Sequence, residues 1–135
     1  MEYFLAKTDP ETYSLDQLER DKTTVWNGVR NAQAIRVIQM MKPGDTVLIY
    51  HSRTETAIVG LARITSEPRH DSHDNKSWVV DVEFVRRFEQ PISLQEIKAT
   101  HQFDDWSLIR QGRLSTMTVP HSVVTWLKEK KFVVI

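Results

Sequence analysis

The sequence contains no cysteine. Disulfides, thiolate zinc sites and a cysteine nucleophile are therefore excluded. It carries no net charge, with 18 Lys and Arg against 18 Asp and Glu. A non-specific duplex binder usually needs a strongly basic face, so zero net charge argues against that class. It leaves open a domain that grips one nucleotide and a few phosphates. No apolar run reaches the ~20 residues of a transmembrane helix, so no membrane partner is expected. The start, Met1-Glu2-Tyr3-Phe4-Leu5-Ala6-Lys7, lacks the basic opening and long apolar region of a signal peptide. The expectation is a soluble, cytoplasmic protein. Glycine is scarce, at four residues. They form neither a P-loop nor a G-x-G-x-x-G, and no G-x-S-x-G elbow exists.

What is present fits one domain over 1–135. Hydrophobic residues make up 40% and charged residues 27%, enough to bury one core without staples. The charge is uneven. Acids crowd Asp9 to Asp21. From Trp26 to Arg53, Arg30, Arg36, Lys42 and Arg53 face Asp45 alone. From Trp106 to Lys131, Arg110, Arg113, Lys128, Lys130 and Lys131 face Glu129 alone. These two segments form a basic face only if the fold brings them together.

The pattern predicts a strand over Tyr3 to Ala6, and a turn at Asp9-Pro10. A capping box at Ser14-Leu15-Asp16-Gln17 starts a helix through Arg20, and Asp21 to Thr24 reads as a loop. Asn31 caps a helix with Ala34, Ile35, Ile38 and Met41 at helical spacing. Lys42-Pro43-Gly44-Asp45 ends it. Thr46 to Tyr50 reads as a buried strand and His51 to Thr56 as a polar loop. Ala57 to Ile64 is a strand with Gly60 inside, a sign of a bulge or a close backbone approach. Pro68 to Ser77 reads as a surface loop. Trp78, Val80, Val82 and Phe84 alternate with polar residues as a half-buried strand. Ser93 to Glu96 opens a short helix with Leu94 and Ile97 inward. Phe103 to Ile109 is ambiguous. Pro120 opens a terminal helix, and Phe132 to Ile135 is a last strand or a docked tail. Strands and short helices mix without βαβ regularity, so the expectation is α+β around an antiparallel, barrel-like sheet.

Three short motifs carry possible chemistry. In Trp26-Asn27-Gly28-Val29-Arg30-Asn31, a stacking surface sits beside exposed backbone and an arginine fork. Tyr50-His51-Ser52 lies where a buried strand exits into a loop, with groups that can stack on a base or bond its edge. In Arg110-Gln111-Gly112-Arg113-Leu114-Ser115, two arginines flank a glycine at which an anion can approach the backbone. Each has an ordinary reading as core aromatic, strand end or solvated loop, and alone that reading is favoured. His70, Asp71, His73 and Asp74 are the best metal candidates but look like a solvated loop. Asp104-Asp105 reads as helix N-terminal charge.

In order, Lys7-Thr8-Asp9-Pro10 and these three motifs resemble the pattern of the EVE domain family, over Met1 to Leu127. The resemblance implies a PUA-like fold: a curved, barrel-like, mostly antiparallel sheet with short helices packed around it. It implies a non-enzymatic binder of nucleic acid, DNA or RNA, that holds a modified cytosine or adenine in a pocket. A flipped base needs a stacking wall and edge donors. By the same resemblance, Lys7 and Thr8 line the pocket. Trp26 with the backbone of Gly28 and Val29 forms one wall, with Asn27 in the same segment and Arg30 and Asn31 near the ligand. Tyr50, His51 and Ser52 form another side. Arg110, Gln111, Gly112, Arg113 and Leu114 close it, and Ser115 bonds the base or the loop. No cofactor is implied, and no protein partner is named. Thr8-Asp9-Pro10 stands where many relatives have Ser-Glu-Pro, and Pro68 to Ser77 is a shortened insertion. A pocket for a small molecule or free nucleotide is the rival reading. An enzyme on modified nucleotides is a third, with His51 as its general base.

Overall fold

The computed structural model describes residues 1–53 and 55–130. In chain order it contains β1 (Tyr3–Thr8), α1 (Leu15–Asp21), β2 (Thr23–Trp26), α2 (Ala32–Met40), β3 (Thr46–His51) and β4 (Ala57–Ile64). There follow β5 (Arg69–Asp71), β6 (Asp74–Ser93), α3 (Leu94–Ala99), α4 (Ser107–Arg110), β7 (Thr116–Thr118) and α5 (His121–Lys128). The expected tail element at Phe132 to Ile135 lies outside the described residues.

The strands form one seven-stranded sheet in the order β2-β6-β4-β3-β1-β7, with β5 added on β6. The expected α+β, PUA-like sheet is present, with two refinements. It is mixed, because β1 runs parallel to β3, Tyr3 beside Thr46 through Thr8 beside His51. It is also open: among the described residues, β2 and β7 are its two ends. The 20-residue β6 serves β2, β4 and β5 together. Its register against β4 slips twice, and such bulges bend and twist a sheet.

The centre of the sheet is apolar because its strands are covered on both faces. Leu5, Leu48, Ile49, Ile58 and Ile64 are almost fully buried. Helix α2 lays Ala34 and Ile38 on this core. Gly60 is required by packing: a Cβ there would stand 2.5 Å from the Arg86 carbonyl oxygen and 2.9 Å from a Leu15 methyl. The capping signals hold. Ser14 and Gln17 make both halves of a capping box. Asn31 accepts from the N–H groups of Gln33 and Ala34. Ser93 accepts from the Glu96 N–H.

Three expectations are corrected. Thr23 and Thr24 are not loop but the start of β2. Its first two residues read as loop because they are polar threonines at the sheet edge, where Thr23 is exposed. Pro68 to Ser77 is not a loop throughout, since Arg69 to Asp71 pairs with the start of β6 as a hairpin. Its turn is held by the Asp71 carboxylate, which accepts from the His73 N–H at 2.9 Å. The alternation in β6 is looser than its sequence suggests. Val79 is buried beside Val80, while Trp78 and Phe84 are only partly buried.

Candidate binding cleft

A cleft of about 410 Å³ opens where the end of β1 meets the end of β2. This is within the size range of small-ligand sites, roughly 300–1,000 Å³. Lys7 and Thr8 line it from β1, and Thr12 and Tyr13 from the turn before α1. Thr24 to Val29 line it from β2 and the segment beyond, and Ser115 closes it.

The walls are fixed by local bonds. The Thr8 hydroxyl donates to the Tyr13 carbonyl at 2.6 Å. Tyr13 meets Trp26 edge to face, with ring centroids 6.4 Å apart. Its hydroxyl donates to Asp21 at 2.8 Å. Burial, reinforced by that carboxylate, pushes the Tyr13 hydroxyl above its ordinary pKa. On the other side, Val29 is buried and its carbonyl accepts from the Ser77 hydroxyl at 2.5 Å. Gly28 between them has φ +82°, and a Cβ there would meet nothing within 4 Å. It is needed for its backbone angle, not for space. Among the described residues, nothing accepts from the N–H groups of Gly28 or Val29.

Lys7 is the cleft's cation. Its Nζ donates to the Gly112 carbonyl at 2.9 Å and lies 5.6 Å from the centre of the Tyr50 ring. Burial lowers its pKa from the ordinary lysine value. One N–H is occupied, leaving two for an acceptor in the cleft. The site thus combines an aromatic wall, an ammonium and unpaired backbone donors.

An EVE domain family model matches residues 2–130. The chain belongs to the EVE domain family. Thymocyte nuclear protein 1 of Rattus norvegicus is 38% identical over an alignment covering 74% of this chain and 57% of that protein. The chain thus spans little more than half the length of the curated relatives it matches. A solved structure of a hypothetical protein from Leishmania major superposes with a TM-score of 0.87 at 30% identity, covering 95% of this chain and 92% of that one. The crystal structure of human THYN1 protein in complex with 5-methylcytosine-containing DNA superposes with a TM-score of 0.84 at 28% identity, covering 97% and 99%.

In this EVE domain the residues singled out by sequence divide into two groups. Lys7, Thr8, Trp26, Asn27, Gly28, Val29 and Ser115 line the cleft. The others do not. Arg30 is exposed and 3.6 Å from Asp74. Asn31 caps α2. Tyr50 is buried beneath Lys7. His51 accepts from the Leu15 N–H through Nε2 at 3.2 Å. The Ser52 N–H donates to the Thr8 carbonyl at 3.0 Å. Arg110 pairs with Asp105 at 3.0 Å. Gln111 and Arg113 are exposed, and Leu114 is buried. Gly112 contributes only the carbonyl that holds Lys7.

Sequence reasoning missed Thr12, Tyr13, Thr24 and Val25. Tyr13 carries a signal in hindsight, an aromatic residue just before a helix cap, but its pairing with Trp26 depends on the fold. Three of the four metal candidates make other contacts. His70 packs on Trp78 with centroids 4.4 Å apart. Asp71 accepts the His73 N–H in the turn, and Asp74 accepts the Lys76 N–H at the start of β6. Among the described residues, no cluster of His, Asp or Glu is arranged to hold a metal ion.

Proposed function

We propose that this EVE domain is a non-enzymatic reader of nucleic acid that takes one modified base, 5-methylcytosine in DNA first among them, into the cleft. The observation that carries this reading is the aromatic cleft at Trp26 and Tyr13, on the fold that human THYN1 uses in its complex with 5-methylcytosine-containing DNA. Trp26 supplies the stacking wall that an unstacked base needs. Lys7, Asn27 and the N–H groups of Gly28 and Val29 supply donors for a carbonyl edge or a phosphate. His51 is poorly suited to act as a general base, because its Nε2 is occupied by the Leu15 N–H.

Binding of short DNA and RNA strands, unmodified and carrying 5-methylcytosine or methylated adenine, tests this by fluorescence anisotropy. The expected result is preference for the 5-methylcytosine strand. Trp26→Ala should cost about 1–3 kcal/mol of that binding. A folded Trp26→Ala protein that binds as well as wild type defeats the reading.

One observation favours a second reading, a pocket for a free nucleotide or small molecule. Arg30, Arg53 and Arg110 are each paired with an acid, and among the described residues Lys7 is the cation that lines the cleft. Salt separates the two readings. Binding that tracks several phosphates weakens steeply as salt rises, and a nucleoside pocket barely responds.

A further inference from the structure

A second hollow of about 360 Å³ lies on the other side of the β2 end. Its lining comes from Val25 and Asn27 and from the β5–β6 hairpin: Arg69, His70, Asp71, Ser72, His73 and Val79. Val25 and Asn27 also line the base cleft. The two hollows therefore adjoin at one stretch of backbone, which forms the ridge between them.

The hairpin is fastened to that ridge. β2 pairs with β6 from Thr23 beside Glu83 to Trp26 beside Val80. The Ser77 hydroxyl holds the Val29 carbonyl, and Arg30 reaches Asp74 beside the turn. A ligand crossing the ridge thus meets a preformed surface. That surface combines an apolar floor, Val79 and the 43%-exposed Val25, with two imidazoles. Arg69 stands at its border, about half exposed and ion-paired with Asp81 at 2.9 Å. Flat rings over an apolar floor suit a nucleobase. Histidine is among the side chains on which unstacked bases rest, and a phosphate can compete with Asp81 for the arginine.

Resting on the reading of the first cleft, we infer that this hollow is a subsite for the base next to the modified one in the same strand. The protein then recognises at least a dinucleotide rather than an isolated base. His70 and His73 stack on the neighbour, and Val25 and Asn27 set the step between the two bases.

Anisotropy with single strands carrying one 5-methylcytosine tests this. The base on its 5′ side, its 3′ side or neither is replaced by an abasic residue. The expected result is a loss of about tenfold on one side only. In a His70→Ala/His73→Ala variant, checked for folding by circular dichroism, that penalty disappears. His73→Ala alone serves if the His70 contact with Trp78 proves necessary for folding. Equal binding of all three strands by the wild type overturns the subsite while the base cleft stands. So does a penalty that persists in the variants. If no 5-methylcytosine strand binds, or Trp26→Ala binds all strands like the wild type, the cleft reading fails and the subsite fails with it.

Discussion

The segments Trp26 to Val29 and Tyr50 to Ser52 look alike in sequence. Each joins an aromatic ring to small and polar residues at the end of a strand. The fold uses them in opposite ways. Tyr50 is 3% exposed, the His51 Nε2 accepts from Leu15, and the Ser52 N–H closes on the Thr8 carbonyl. These groups are taken up by the fold. Trp26 is half-buried, Asn27 and Gly28 are exposed, and the Gly28 and Val29 N–H groups are without acceptors among the described residues. The difference lies in strand position. β3 lies between β1 and β4, so its end is enclosed, whereas β2 has only β6 beside it. For these two segments residue type proposes a site, and the place of the strand in the sheet decides whether the groups are free.

The sharpest way to break this contrast is to truncate both aromatics. Tyr50→Ala should lower the unfolding free energy by about 3–5 kcal/mol, as for other large buried rings. Urea denaturation measures it. Trp26→Ala should shift the urea midpoint far less, with its main effect on base binding, about 1–3 kcal/mol. Tyr50→Ala that keeps wild-type stability but loses binding would reverse the assignment of the two segments.

The same contrast explains what was legible in the sequence. The caps at Ser14, Asn31 and Ser93 were readable because each acts within three residues. The central strands were readable because burial on both faces leaves them continuously apolar, as in Val47 to Ile49. β2 and β5 were not: β2 is four residues long and takes its partner from a stretch of β6 more than fifty residues away, and β5 is three polar residues that pair with the start of β6 across a tight turn. The cleft residues around Trp26 and Lys7 were found as motifs. Their separation from Arg30, Asn31 and the Tyr50 to Ser52 group was not visible, because it depends on which backbone groups the tertiary structure has already paired. Tyr13 and Val25 enter the cleft through packing that no local pattern encodes.

A smaller effect sharpens the cleft side. Gly28→Ala places a Cβ at φ +82° with nothing to strike. The cost is therefore backbone strain, roughly 1–2 kcal/mol. Gly44→Ala, at φ +96° in the turn before β3 and equally free of neighbours, is the control. Both should lose comparable stability in thermal melts, but only Gly28→Ala should also weaken base binding, because only Gly28 lines the cleft.

The smallest effect probes the enclosed side through pH. Burial holds the His51 pKa below its ordinary value of 6.5. The neighbouring carboxylates of Glu55 and Asp16 oppose that shift, and Arg87 reinforces it. The unfolded chain therefore takes up this proton first as pH falls. The neutral ring's contribution is fully present above pH 6.5, and it is lost as pH falls from there through the depressed folded pKa. Protonation also removes the lone pair that receives the Leu15 N–H, so the start of α1 loses an anchor beside Tyr13. His51→Gln keeps an acceptor at the end of β3 without a titrating group. Urea midpoints at pH 7.5 and pH 5.5 should fall less for His51→Gln than for the wild type. An equal fall in both proteins would mean that other groups govern the acid limb, and that His51 is not as enclosed as its bond to Leu15 indicates.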